Sequence, residues 1–323
     1  MKKIKWFIAG FAVMFSLTIF ILSLQAQAYP HQPIQLVIMM APGDSLDLNG
    51  RAISTELSKI LNTSVIPINK AGAGGSVGVD FVAKSKKDGY TILYTNSSLV
   101  YTYALNPQNI PYNPFQDLEP LCMVASVPLV FAVQAEAPWE SFQDLLNYMQ
   151  KNPGKVRGAF TGFGSVGHFN FEAIRTETGA EITMVPYKGA SPGLTALLGG
   201  HVDVGTFALS LAFPHFEAGK IRFLLTSKKI PRLPNIPTLT QMGYKKDLSS
   251  AWFGFFVPTG VPESVKKTLT SAIEKASKSA EVINVNQRLM VLDDYKTAEE
   301  FKKVMVDGYE LAKELLKGGP ASK

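Results

Sequence analysis

The chain has 323 residues, 46% of them hydrophobic and 18% charged, with a formal net charge of +6 and a single cysteine. A charge excess this mild and this scattered argues against nucleic acid as a partner, and one cysteine excludes an internal disulfide or a cysteine-based metal cluster. The length predicts two domains rather than one.

The first predicted element is a targeting segment. Lys2, Lys3 and Lys5 precede an apolar run from Trp6 to Leu24, and Ala26-Gln27-Ala28 supplies a small-x-small cleavage site before Tyr29-Pro30. This layout predicts a secretory signal peptide over residues 1–28 and a periplasmic mature protein. The alternative is an uncleaved anchor, because the run is long enough to span a bilayer. Cleavage removes three lysines and no acid, so 295 residues remain with a net charge of +3.

From there, short apolar runs alternate with helical patterns. Strands are predicted at Gln35–Met40, Ser64–Ile68, Thr91–Tyr94, Glu119–Gln134, Val156–Phe160, Ile182–Val185, Val202–Thr206, Ile221–Thr226 and Trp252–Val257. Helices are predicted at Asp47–Leu61, Gly75–Ser85, Ser141–Asn152, Val166–Thr178, Pro192–Leu198, Leu209–Ala218, Pro262–Ser277 and Ala298–Leu316. This β-α-β rhythm predicts an α/β protein with mostly parallel sheets flanked by helices. The rhythm restarts once. Pro128 interrupts the long run Glu119–Gln134, so it reads as two segments meeting at a bend. A second strand–Gly-turn–helix unit then begins at Val156, and the pattern shifts again near Trp252. The expected division is a first domain from residues 29–128 and 252–323, and a second domain over 129–251, joined by crossover strands around a cleft. Cys122, inside the apolar stretch "LEPLCMVASVPLVF", is expected to be a buried structural thiol.

Each expected domain carries a Gly turn beyond the carboxyl end of a strand, where open α/β sheets bind ligands. The first is Ala41-Pro42-Gly43-Asp44-Ser45 and the second is Thr161-Gly162-Phe163-Gly164-Ser165-Val166-Gly167-His168. Both open helices, whose free backbone N–H groups and dipole suit an anion. The second turn also fits G-x-G-x-x-G through Gly162, Gly164 and Gly167. The acid expected to bind a ribose is missing, however, since the next strand ends in Pro186-Tyr187-Lys188-Gly189. The same turn comes near a G-x-S-x-G nucleophile elbow around Ser165, but Phe163 stands where the first Gly is required. An exported α/β enzyme, either a hydrolase using Ser165 and His168 or a dinucleotide-dependent enzyme, is therefore the alternative reading. His201 with Asp203 and His215 with Glu217 lack a third ligand at a recognisable spacing, so no metal is expected, and no cofactor. A third Gly-rich stretch, "NKAGAGGSVGVDFVA", misses the dinucleotide spacing and is expected to serve close backbone packing.

Several stretches together carry a resemblance: "APGDSLD", "NKAGAGGSVGVDFVAKSKKDGYTIL", "IPYNPFQDLEP", "GFGSVGH", "VPYKGASPGLTALLGGHVDV", "AGKIRFLLTS" and "PNIPTL". In this order, over almost all of the mature chain, the sequence resembles the periplasmic solute-binding proteins of the tripartite tricarboxylate transporter type, the Bug family. The resemblance implies a two-domain periplasmic-binding-protein clamshell that captures a small carboxylate-containing solute and delivers it to membrane transporter subunits or a sensor receptor. A non-catalytic monomer is implied. Carried over by position, the ligand-binding residues are Ala41, Pro42, Gly43, Asp44, Ser45, Asp47, Asn96 and Ser97 from the first domain. From the second come Phe163, Gly164, Ser165, His168, Tyr187, Lys188, Gly189 and Phe207. Backbone amides near Gly43–Ser45 and Gly164–Ser165 are expected to donate to the anion, the Ser45 and Ser165 hydroxyls to orient it, and Phe163 to close over an apolar part. Met39 and Met40 are candidates for the cleft floor. The sequence departs from the family at its first turn, where Asp44 replaces a second Gly and Met40 an aromatic residue. Asp47 is expected to order the turn, and Asp44 either to cap the helix or to face the cleft.

Overall fold

A computed structural model describes residues 29–317; the expected signal peptide lies outside them. Eleven strands form two sheets. The first has six strands: β1 (Ile34–Ile38), β2 (Val65–Asn69), β3 (Thr91–Asn96), β4 (Leu118–Val127), β10 (Ala251–Pro258) and β11 (Leu292–Thr297), in the order β11-β4-β10-β3-β1-β2. The second has five: β5 (Leu129–Gln134), β6 (Arg157–Phe160), β7 (Thr183–Pro186), β8 (Val204–Ala208) and β9 (Ile221–Thr226), in the order β7-β6-β8-β5-β9. The strands that precede the Gly turns are parallel to their neighbours: β1 to β2 and β3, and β6 to β7 and β8. The strands that carry the chain between sheets run antiparallel to theirs, so each sheet is mixed.

The helices follow the local sequence. Helix α1 (Ser45–Leu61) starts at Asp44, whose side chain accepts from the Leu46 N–H, and stops at Asn62 in the left-handed region. Such a cap is worth about 1 kcal/mol. Helix α4 (Phe142–Lys151) has a reciprocal capping box between Ser141 and Asp144. Helix α5 (Val166–Thr178) is capped by the Ser165 side chain and ends at Gly179. The other helices are α2 (Ser76–Ala83), α3 (Ser98–Leu105), α6 (Ala190–Leu198), α7 (Leu209–Glu217), α8 (Glu263–Ser277), α9 (Ala280–Arg288) and α10 (Ala298–Lys317). Of these, α3 and α9 are not anticipated from sequence, nor is β11. Helix α3, "SLVYTYAL", has no polar stripe to give it a helical period. Helix α9 begins just after α8 ends, and β11, "LDDYKT", is a charged edge strand without an apolar run.

One buried apolar cluster runs from the first sheet through the crossovers to Phe131, Phe160, Phe169 and Phe171 on one face of the second sheet. A smaller cluster fills the other face, with Val130, Ala132 and Ala159 packed against Leu194, Leu197, Phe207 and Phe213. The strand alternation of β5 sends Val130 and Phe131 to opposite clusters, as a period of two requires. Cys122 is fully buried in the first cluster, where loss of water pushes its thiol pKa up.

The predicted bend at Pro128 separates β4 from β5, and the chain changes sheet there. It returns between β9 and β10. The two crossings are tied together: Ser227 Oγ accepts from the Leu129 N–H at 2.9 Å and lies 2.8 Å from Ser250 Oγ. Beside them, Lys228 Nζ donates to Asp294 Oδ2 at 2.9 Å, Lys296 Nζ to Asp294 Oδ1 at 2.8 Å, and Ser126 Oγ to Asp294 Oδ2 at 2.5 Å. Burial opposes the ionisation of Asp294, but the bonds from Lys228, Lys296 and Ser126 outweigh it and hold its pKa at about 2, below the ordinary 3.8. A depressed carboxylate adds stability above its unfolded pKa and loses it as the pH falls towards the folded value. Acid denaturation of Asp294→Asn should therefore lack the component that the wild type shows between pH 3.8 and about 2. Superimposable acid transitions would place the cause elsewhere.

Candidate binding cleft

The first turn emerges from β1 next to β3. Ile38 is in register with Tyr94, and the Met39 N–H reaches the Tyr94 carbonyl at 3.4 Å. The turn at residues 40–45 and the segment Asn96–Ser97 therefore leave the sheet side by side. Asp47, in the first turn of α1, is buried and organises the loop. Its Oδ2 accepts from the Gly43 N–H at 2.9 Å, and its Oδ1 accepts from Arg51 Nε at 2.9 Å and Asn69 Nδ2 at 2.8 Å. Burial opposes its charge, yet the bonds from Arg51, Asn69 and Gly43 hold its pKa below the ordinary carboxylate range. Asp44 behaves oppositely. Its Oδ1 caps the helix through the Leu46 N–H at 2.8 Å, while the residue stays open to solvent. Protein crowding around it raises its pKa, the Leu46 amide opposes the rise, and the negative charge of Asp47 adds to it.

The third Gly-rich stretch supports this turn from behind. A side chain on Gly75 would meet the Met39 sulfur at 2.7 Å, and one on Gly78 would meet the Lys70 carbonyl at 2.8 Å. Met39 is accordingly sealed in the core, while Met40 is half-buried. Helix α1 is pinned by a buried polar chain: the Tyr94 hydroxyl to Asn49, Asn49 to Asn286 of α9, and Asn286 Nδ2 to Asp293 Oδ1 at 2.7 Å.

The second turn emerges from β6. Ser165 Oγ accepts from the His168 backbone N–H at 3.2 Å, and the Gly164 N–H points to His168 Nδ1 at 3.4 Å. Burial lowers the pKa of His168, with Glu172 opposing. The imidazole is thus neutral near pH 7, with its proton on Nε2 facing Glu172 Oε1 at 3.9 Å. Ser165 meets the backbone of His168 and not its ring. Phe163 stands exposed above the turn, edge-on to Phe160 and His168 at centroid distances of 5.3 and 5.1 Å. The segment Tyr187–Gly189 lies alongside, because the Tyr187 N–H bonds the Phe160 carbonyl at 2.9 Å. Tyr187 is half-buried and Lys188 exposed.

The two lobes meet at this turn. A side chain on Gly164, whose φ is +81°, would come 3.2 Å from Leu105 Cδ2 and 3.4 Å from the Thr102 Cα of α3. Tyr101 of α3 stacks on Phe169 of α5 at 5.0 Å. Since α3 begins straight after Ser97, the turn following β6 packs against the helix that continues from β3, and within each lobe the turns after β1 and β3, and after β6 and β7, lie side by side. Phe207 is not among the residues gathered there. It is fully buried against Gly205 and Gly193 in the smaller core, because β8 alternation turns it away from α5. Its neighbour Thr206 takes the opposite face, with Oγ1 only 2.5 Å from where a side chain on Gly167 would begin. Thr102, Leu105 and Thr206 escape the sequence reading, the first two because α3 itself is not anticipated. For Thr206, the strand alternation was the available signal.

Four helix-start amides remain without a hydrogen bond within the described residues: Ser45 and Asp47 at α1, Val166 and Gly167 at α5. The Gly43 and Gly164 amides are used internally. Ser97 Oγ and Thr206 Oγ1 are buried hydroxyls with no partner among the described residues. A helix N-terminus with unpaired donors can hold an anionic group. No group of three or more potential metal ligands occurs among the described residues.

Residues 50–317 match the model of the tripartite tricarboxylate transporter family receptor, TctC. The protein is a member of this receptor family. Protein BugT of Bordetella pertussis (strain Tohama I) is 36% identical over 262 residues, 80% of each chain. A solved periplasmic transporter superposes with a TM-score of 0.80 at 30% identity, covering 91% of this chain and 99% of the other. An R. palustris protein solved with adipate superposes with a TM-score of 0.79 at 27% identity, covering 90% and 97%. TctC receptors are periplasmic solute-binding proteins, and both family and fold are those of binding proteins rather than enzymes. The chain shares their two-domain clamshell. No helix among the described residues is long and apolar enough to cross a membrane.

Proposed function

We propose that this TctC receptor is exported by a signal peptide over residues 1–28, captures a small organic acid between its lobes, and presents it to the membrane subunits of a tripartite transporter. The lobes are residues 29–128 with 252–323, and 129–251, and the protein acts as a monomer by binding alone. The observation that supports this reading is the packing of the second-lobe Gly turn, through Gly164, against Thr102 and Leu105 of α3, the helix that follows β3 beside the first turn. The ligand's carboxylate takes the unpaired amides of Ser45 and Asp47 from one side and those of Val166 and Gly167 from the other. Asn96, Ser97, Tyr187, Lys188 and Gly189 line the cleft around it. Phe163 covers an apolar part, as the methylene chain of the adipate held by the R. palustris relative would require. Asp44 leaves one carboxylate oxygen exposed and so favours a ligand that also carries a hydrogen-bond donor or a positive group.

Calorimetric titration with a panel of mono-, di- and tricarboxylates, with and without hydroxyl or amino substituents, tests the reading. At least one acid should bind at one per chain. Ser165→Ala should weaken it about 5-fold, the scale of one hydrogen bond or one helix cap. A protein that ignores every acid but hydrolyses an ester, and loses turnover in Ser165→Ala, would instead be an enzyme. Binding alone is supported by Ser165 Oγ, which accepts from the His168 backbone N–H and makes no hydrogen bond to the His168 ring among the described residues.

A further inference from the structure

Outside the cleft, a pocket of about 620 Å³ opens between α7 of the second lobe and α9 of the first. It shares none of the cleft residues named above. Its volume falls within the range of about 300–1,000 Å³ usual for small-molecule sites. One wall holds Phe213, Glu217 and Arg232; the other holds Gln287, Arg288 and Met290. The Arg232 guanidinium lies over the Phe213 ring at 5.1 Å, and its Nη1 reaches the Met290 sulfur at 3.4 Å. That contact crosses between lobes and sets the guanidinium plane without using its charge. Neither Arg232 nor Arg288 forms an ion pair among the described residues, whereas Arg51, Arg157 and Arg175 each sit beside an acid.

We propose that this pocket is a second ligand site, for a small monocarboxylate with a flat apolar body. Two guanidiniums facing one cavity match a carboxylate, which an arginine fork holds through paired hydrogen bonds. The outer face of the Arg232 guanidinium, stacked on the buried Phe213 ring, and the Met290 sulfur offer a flat surface and a polarisable atom to an apolar ring. Gln287 adds an amide. Glu217 sets the net charge: beside it, a single negative group facing the arginines is favoured over a dianion. This inference does not rest on the cleft reading, because its residues are separate.

Benzoate is the probe. Calorimetric titration of the wild type should show weak binding, in the millimolar range or tighter. The double substitution Arg232→Gln with Arg288→Gln should weaken it about tenfold or more, the effect of losing charge-assisted hydrogen bonds. Glu217→Gln should leave it equal or tighter, and Ser165→Ala in the cleft should leave it unchanged. Both arginines are solvent-exposed, so the double variant should keep the wild-type melting profile. If it does not, Arg232→Lys with Arg288→Lys, which keeps the charge and loses the fork, serves in its place with the same expected weakening. No binding to the wild type at tens of millimolar overturns the proposal. So does binding that survives the arginine substitutions, or binding lost in Ser165→Ala.

Discussion

Asp47→Ala should lose about 2–3 kcal/mol of folding stability and weaken carboxylate binding at least about tenfold. Asp47 is the one buried acid in the first turn, with its side chain only 2% exposed. It holds three groups that the turn depends on: the Gly43 amide, Arg51 and Asn69. Arg51 is 44% exposed and will be rehydrated once its partner is gone, so the loss stays below that of a fully buried ion pair. The Gly43 amide has no such escape without remodelling the Pro42-Gly43 turn, and that remodelling is what removes ligand affinity. Asp47→Asn should fall between the two, since an amide can accept from Arg51 but cannot offer a second acceptor to both Gly43 and Asn69. Urea unfolding and calorimetry read the two effects separately. Wild-type affinity in Asp47→Ala would mean that the turn takes no part in binding.

The second large effect is expected at Gly164. Gly164→Val places a β-branched residue at φ +81°, where L residues incur about 1–2 kcal/mol. It also drives new methyl groups into Leu105 and Thr102, which belong to the opposite lobe. Strain alone would lower stability; crowding across the cleft should in addition hold the lobes apart and abolish tight binding. Gly179→Ala separates the two causes. Gly179 also has a positive φ, +69°, but a side chain there meets nothing within 4 Å. It should cost stability and leave affinity intact. Scattering in the presence of ligand should show Gly164→Val more open than either the wild type or Gly179→Ala.

The architecture was legible because its signals are local. The alternation of apolar runs and helical stripes located the parallel strands and their helices. Pro128 marked the crossing between lobes, where β4 gives way to β5. Both Gly turns were visible as breaks between a strand and a capped helix. What the sequence hid depends on tertiary contact. Helix α3 is apolar all round because Tyr101 packs on Phe169 across the lobes, so it has no polar face to reveal it. Strand β11 is charged because it sits at a sheet edge, with Asp294 and Lys296 serving the crossover network. The roles of the turn amides were also hidden. The amides expected to meet the ligand were those of Gly43–Ser45 and Gly164–Ser165; Asp47 and His168 accept from Gly43 and Gly164, Ser45 stays unpaired as expected, and the other unpaired donors, Asp47, Val166 and Gly167, lie two to four residues beyond the glycines. Side-chain direction decides such matters, and a single step along β8 sends Phe207 into the smaller core and Thr206 to the opposite face, beside Gly167.

Asp44 takes the first of its two expected roles: one oxygen caps α1, while the residue remains exposed with a raised pKa. Asp44→Gly removes the charge together with the side-chain cap on the Leu46 amide, and a ligand chosen for an amine or hydroxyl should lose its advantage over the plain acid. An unchanged order of preference across the panel would reduce Asp44 to a cap.

The most direct test of carboxylate capture is native mass spectrometry of the mature protein, purified without added ligand and then gently activated to release its solute. The expected result is one small organic acid per chain, displaced by excess of the best carboxylate from the titration panel. A solute bearing no acid group, or an acid that stays bound at full occupancy in a protein carrying both Asp47→Ala and Gly164→Val, would contradict it.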